Sequence, residues 1–318
     1  MSSSFETVAS FEDLLSTLSI AQLQAHITRH PALRNNVHRY LRSRKDEVVK
    51  RFFTNVEEFW EELTSVDGVI SGSSALSFVL PRWRAGWEAK DLDLFIPRHH
   101  KEPIIAFLAR EGYDVASVSA DTYGDLEEQA INQITHLRNV EKTIDIIESS
   151  TASAIAPIFR FHSSLVMNFF NAQACFCAYP QMTTNHRALI NCGRLADYRP
   201  GHRSRLMRCW KKYEERGFRF AQVSNVTLTQ SWRLTVPVLE ETEPDQRHIC
   251  KEDFSCPHTV RATTDEGSLL VYFDEGGDNH TRPPSRDAMF WHLGGAPCRG
   301  GGYGTLRPFA SIVNINIP

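Results

Sequence analysis

A chain of 318 residues, 42% hydrophobic and 23% charged, has the make-up of a globular protein with room for two domains or one large core with additions. A formal net charge of −3 excludes a whole-protein pull toward nucleic acid or anionic membrane, so any basic binding surface must be local. Seven cysteines make an odd count, residues 1–16 carry neither a basic nor an apolar leader, and no apolar run approaches the roughly 18 residues that span a bilayer. These features lead us to expect an intracellular, soluble protein, cytoplasmic or nuclear, with reduced thiols and no membrane partner. The sequons at Asn225 and Asn279 would then be incidental.

Residues 9 to about 64 read as helices. Ser10 followed by Asp13 is an acidic variant of the capping pattern ahead of Leu14, Leu15 and Leu18. Pro31 interrupts, and a second helix is expected from Ala32 to Phe53, with its many Arg and Lys side chains on a solvated face. Val66–Ile70 then reads as a strand ending at Ser71-Gly72-Ser73, Ser74–Leu80 as a helix stopped by Pro81, and Asp91–Ile96 as a strand ended by Pro97. His100–Gly112 follows as a helix with Ile104, Ile105, Phe107 and Leu108 inward, and Gln133–Leu137 and Lys142–Ile147 as strands around a short turn. Further on, the pattern predicts a helix near 153–161, a hairpin of Leu165–Phe170 and Cys175–Tyr179, and helices near 183–196 and 201–217. Strands are expected at Phe218–Val223, Trp232–Leu239 and Ser268–Phe273, before a Gly- and Pro-rich end. The order defines an α+β protein with a small mixed sheet flanked by helices. We divide it into an N-terminal helical segment (1–64), a core (65–196), and a basic helix with a β-rich C-terminal region (197–318).

Asp91 and Asp93 are the first residues that ask for chemistry. Residues i and i+2 of a strand share a face, roughly 7 Å apart along the chain, while Leu92 and Leu94 point to the core. Two carboxylates so placed repel and lose hydration, and a hard cation such as Mg²⁺ or Mn²⁺ would relieve both costs. A solvent-facing strand with two outward acids is the competing reading. Asp145 in Thr143-Ile144-Asp145-Ile146-Ile147 is a third acid among strand-forming aliphatics. Beside the first strand it would complete a site suited to in-line attack on phosphorus. Upstream, Gly72 and Ser73 end a strand and open a helix, where a glycine admits close approach and the helix N-terminus offers free N–H groups to phosphate. Gly72→Val is expected to block that approach and leave the fold largely intact.

The run Val69-Ile70-Ser71-Gly72-Ser73-Ser74-Ala75-Leu76, the strand Asp91-Leu92-Asp93-Leu94 and the later Ile144-Asp145-Ile146 resemble the signature of the DNA polymerase β-like nucleotidyltransferase superfamily. More narrowly, the chain resembles nucleotidyltransferase-like proteins of mushroom-forming fungi that have no assigned activity. The motif-bearing likeness spans about residues 50–195. The resemblance implies that Gly72, Ser73 and Ser74 bind the phosphates of a nucleoside triphosphate (NTP). It also implies that Asp91 and Asp93 hold the triphosphate-bound metal, while Asp145 binds a second metal and helps deprotonate the attacking hydroxyl. The implied reaction moves a nucleoside monophosphate to an acceptor, whether small molecule, protein or RNA. Motifs that mark the tRNA-maturing, poly(A)-adding and antibiotic-modifying branches are absent. A non-catalytic module that keeps the fold and binds nucleotide or protein is the alternative.

Other signals are weaker. Residues 199–219 carry a net charge of +6, and Arg205, Arg208, Lys212 and Arg216 fall on one helical stripe. The stripe reads first as a solvated face and otherwise as a grip for triphosphate or RNA backbone. Trp210, Tyr213 and Phe218 read as core anchors, and His162 as a satisfied structural histidine. His99 and His100 read as a loop or helix start. Cys250, Cys256 and His258, with Cys298 downstream, lack standard zinc-knuckle spacing, so free or packing cysteines are favoured over structural zinc. The glycines between 294 and 304 lack the strand-then-helix context of a phosphate loop.

Overall fold

The computed structural model describes residues 11–120, 130–191, 194, 202–221, 260–274, 287–293 and 315–316. The cysteine–histidine group at 250–258, Cys298, the strand expected at 232–239, Ser10 and the late glycine cluster lie outside these residues.

Four helices come first: α1 (Phe11–Ser16), α2 (Ile20–Arg29), α3 (Arg34–Val49) and α4 (Val56–Ser65). Ser19 caps α2: its hydroxyl accepts from the Gln22 N–H while the Gln22 side chain accepts from the Ser19 N–H, closing a capping box. Asn55 caps α4 in the same sense, with Glu57 and Glu58 in the first turn to complement the helix dipole. The single helix expected from Ala32 to Phe53 is therefore a 3₁₀ turn at Pro31–Leu33 followed by α3, with α4 separate.

The core follows as β1 (Val69–Ser71), α5 (Gly72–Val79), β2 (Asp91–Ile96), α6 (Glu102–Arg110), β3 (Asp114–Ala120), β4 (Ile131–Arg138) and β5 (Thr143–Ser149). After it come β6 (Asn168–Phe170), β7 (Ala174–Cys177), α7 (Pro180–Thr184), β8 (Arg187–Leu189), α8 (His202–Glu214), β9 (Arg219–Ala221), β10 (Arg261–Ala262) and β11 (Leu269–Tyr272).

The main sheet is larger than the small sheet expected. It has eight strands among the described residues, in the order β11-β7-β6-β1-β2-β5-β4-β3. Within it β2 and β5 run parallel and the other neighbouring pairs antiparallel. The molecule is thus a mixed α+β fold around a multi-strand sheet. β3 had no counterpart in the sequence reading. Its residues, Asp-Val-Ala-Ser-Val-Ser-Ala, are small and polar, and Val115 and Val118 on this edge strand stay exposed, so no buried alternation marks it. The helix expected near 183–196 is corrected to the short α7 followed by β8, which pairs in parallel with β9. The helix near 153–161 is corrected to a 3₁₀ turn over Ala156–Arg160. No helix among the described residues is long and apolar enough to cross a membrane.

Strand alternation sorts the side chains to two faces. Leu92, Leu94 and Ile96 of β2 and Ile144 and Ile146 of β5 enter one core with Leu23, Leu41 and Phe59 of the N-terminal helices and with Val271 and Phe273. Phe95 and Ile147 face the other way, into a second core with Ile158, Phe159 and Trp291. Asp91, Asp93 and Asp145 share that second face by parity.

The solvated face expected for the basic residues of this stretch holds for Arg34, Arg39, Arg42, Lys50 and Arg51, which are exposed, and is corrected for two of them. Arg44 and Lys45 are only 4% and 7% exposed. Lys45 lies over the Trp60 ring at 4.1 Å and 3.1 Å from Asp46. Arg44 donates to the carbonyls of Ser77 and Leu80, placing a cation on the orphan carbonyls at the C-terminal end of α5. α3 therefore holds the far end of the helix whose first residue is Gly72. Arg44→Ala is expected to lower the unfolding free energy by about 2–3 kcal/mol, because charge-assisted hydrogen bonds to buried carbonyls are lost. Urea denaturation would measure it, and a loss below about 0.5 kcal/mol would exclude this role.

Candidate functional site

The three acids meet through strand register. Asp93 of β2 lies directly opposite Asp145 of β5, and Ser71 of β1 lies directly opposite Asp93 on its other side. Asp91, two residues back on β2, shares their face, opposite Thr143. All three carboxylates thus lie at the end of the sheet where β1 turns into α5.

Gly72 makes that turn with φ +65°, in the left-handed region that favours glycine. A Cβ built on it would stand 1.9 Å from Asp93 Oδ2, a distance that only glycine allows. The bend is pressed against the carboxylate, and the N-terminus of α5 points its first N–H groups to this end of the sheet. The Ser73 hydroxyl is 3.4 Å from Asp91 Oδ1, and the Ser74 hydroxyl is 3.4 Å from the Asp91 carbonyl. Ser71 points elsewhere, donating to the Asn168 carbonyl at 2.6 Å.

The electrostatics reflect this crowding. Burial, then the Asp91 and Asp145 charges, push the Asp93 carboxyl up to about 7, against the opposing pull of Lys212. Lys212 therefore lies within electrostatic reach of the acids. Arg216 does too: burial pushes its guanidinium down, while Tyr213 and Asp91 pull it back up. Arg216 also stacks over Trp87 at 4.7 Å and Tyr213 at 5.3 Å. α8 is placed this way because Leu206, Trp210 and Tyr213 are buried with Leu76 of α5 and with Leu80 just after it, as the sequence predicts for its aromatic anchors. Half of the basic stripe, Lys212 and Arg216, interacts electrostatically with Asp93 or Asp91. Arg205 and Arg208 are exposed.

Two histidines depart from expectation. His162 was expected to be hydrogen-bonded, yet its Nδ1 has no partner. Burial and the nearby Arg194 and Lys212 charges push it down to about 3, so it is neutral at physiological pH. His136, which the sequence reading passed over, sits on β4 directly opposite Asp145 and places Nδ1 2.7 Å from Asp145 Oδ1. His99, as expected, lies in the turn before α6, with its backbone N–H donating to Glu148 at 2.9 Å.

Among the described residues, no group of three or more His, Cys, Asp or Glu side chains is arranged to hold a metal ion by itself. The acids nevertheless suit a divalent cation by two tests. Their donors are carboxylate oxygens, which match hard ions, and Asp93 is raised by burial and then by the neighbouring Asp91 and Asp145 charges, all of which a cation would offset. The chain matches no family model, no curated protein and no solved structure.

Proposed function

We propose that the protein is a divalent-metal-dependent nucleotidyltransferase, built on a nucleotidyltransferase-type domain, that moves a nucleoside monophosphate from an NTP to a hydroxyl acceptor. The observation that carries this reading is the facing pair Asp93–Asp145 on parallel strands, set against a glycine bend that no other residue could make without displacing Asp93. Carboxylates beside a glycine bend that opens a helix suit in-line phosphoryl chemistry, and the three acids and Gly72 occupy one end of one sheet.

Asp91 and Asp93 would hold a Mg²⁺ or Mn²⁺ ion together with triphosphate oxygens, and Asp145 a second. Mg²⁺ typically takes one or two carboxylates and completes its shell with phosphate and water, so a closed protein cage is not required. The bound ions supply charge neutralisation at phosphorus and activation of the attacking oxygen. The remaining tasks fall to the chain. Gly72 and Ser73 present N–H groups at the start of α5 to the phosphates, and Ser73 and Ser74 add hydroxyls. Lys212 offsets negative charge on the α8 side. Asp145 accepts the acceptor's proton as its oxygen bonds to the α-phosphorus, and the bond from that phosphorus to pyrophosphate breaks.

Isothermal titration of wild type and Asp93→Ala with NTP, with and without Mg²⁺ or Mn²⁺, tests the proposal. Metal is expected to tighten NTP binding to wild type and not to the variant. Lys212→Ala is expected to weaken the metal-dependent binding by about 10-fold, the scale of one charged contact. No effect of metal on the wild type would refute the reading. The second reading, a non-catalytic nucleotide-binding module, is favoured by the incomplete ligand set, and binding without pyrophosphate release in the presence of diverse acceptors would support it.

A further inference from the structure

Building on the nucleotidyltransferase reading, we propose that His136 is a positioning residue that fixes the Asp145 carboxylate for the second metal ion. The hairpin of β4 and β5 sets these two residues directly across from one another, between the pairs Arg138–Thr143 and Ile134–Ile147. Directly opposed residues on one face of an antiparallel pair bring their side chains together, and these meet at 2.7 Å between Nδ1 and Oδ1.

The tautomer follows from the partners. An ionised carboxylate only accepts, so Nδ1 carries the proton and donates it to Asp145. On the other side of the ring, the Ser119 hydroxyl of β3 stands 3.5 Å from Nε2. The result is a line of polar side chains from the edge strand inward: Ser119, His136, Asp145. The His136 contact holds one carboxylate oxygen, Oδ1, and leaves Oδ2 for an ion. Asp145 is the acid that needs this support. Asp93 is pressed by Gly72 and Asp91 is approached by Ser73, whereas Asp145 sits on the β4 side of the cluster with His136 as its cross-strand neighbour. Carboxylates that ligate metal depend on such outer hydrogen bonds for their orientation.

The test uses Mn²⁺ itself, counted by electron paramagnetic resonance in the presence of a non-hydrolysable NTP analogue, with circular dichroism to confirm the fold of each variant. Wild type is expected to bind two ions. His136→Ala is expected to weaken the second ion by about 10- to 100-fold and to leave the first within about twofold, the scale for a lost outer partner. His136→Asn, which keeps an N–H donor on a short side chain, is expected to recover most of the loss. Second-ion affinity unchanged in His136→Ala, or lost equally in His136→Asn, would overturn the proposal. Failure of wild type to bind Mn²⁺ with the nucleotide would instead overturn the nucleotidyltransferase reading beneath it.

Discussion

Asp93→Asn is expected to stabilise the metal-free protein at pH 8 and to abolish metal-dependent NTP binding. The Asp93 carboxyl sits at about 7 in the folded chain against an ordinary 3.8, raised by burial and by Asp91 and Asp145. Between those values the folded protein keeps a proton that the unfolded chain has released, so stability falls as pH rises through the interval and levels off above about 7. Below about pH 4 both states are protonated and the penalty vanishes. Asparagine is neutral throughout, so the variant should match wild type near pH 4 and exceed it at pH 8 by roughly 2–4 kcal/mol, the lower end allowing for partial solvation. Thermal melts at the two pH values in chelator would measure the gap. Equal melting temperatures at pH 8 would reject charge crowding as the state of the cluster. Added Mn²⁺ and NTP should raise the wild-type melting temperature through mass action and leave the variant unmoved. The loss of affinity should exceed the roughly 100-fold expected for an outer-shell partner, because a ligand itself is removed.

Gly72→Val should damage both the fold and the site. The sequence suggested a local obstruction with an intact fold, and the geometry corrects that expectation. At φ +65° a β-branched side chain is strained, and its Cβ would overlap the Asp93 carboxylate, so Asp93 must move. A loss of about 2–4 kcal/mol in unfolding free energy is expected, together with loss of NTP binding. A double-mutant cycle separates the two causes. In an Asp93→Ala background the carboxylate is gone and the nearest remaining atom of residue 93, its Cβ, lies 3.4 Å from the added carbon. Gly72→Ala should then cost less than it does in wild type, by of order 1–2 kcal/mol, leaving only the backbone term. Additivity would mean that bend and carboxylate are independent.

Much of this site was legible in the sequence because alternation and register are local. The Asp-Leu-Asp-Leu strand announces its buried leucines and outward acids, and Thr-Ile-Asp-Ile-Ile does the same for Asp145. His136 was not available in this way: a turn at 138–141 would set it opposite Thr143, and only the observed turn at 139–142, one residue later, sets it opposite Asp145. The electrostatic reach of Lys212 to Asp93 was not available. It depends on how Leu206, Trp210 and Tyr213 seat α8 on α5, a contact between segments more than 100 residues apart. Nor could composition reveal that Arg44 is buried, since a cation among other cations looks solvated until its carbonyl partners appear. His162 failed for the same reason. Its burial and lack of a partner at Nδ1 belong to tertiary packing and leave no local mark.

The sheet's outermost strand beside β7 has a bearing on biosynthesis. Leu269–Tyr272 completes the edge left by Ala174–Cys177, Val271 and Phe273 fill the core shared with the N-terminal helices, and Arg42 donates to the Phe273 carbonyl at 2.9 Å. Segments made earlier by the ribosome thus wait for one made much later. Until then a growing chain carries an unpaired row of backbone groups along β7 and an uncovered apolar hollow, the two features that draw chaperones and invite wrong pairings.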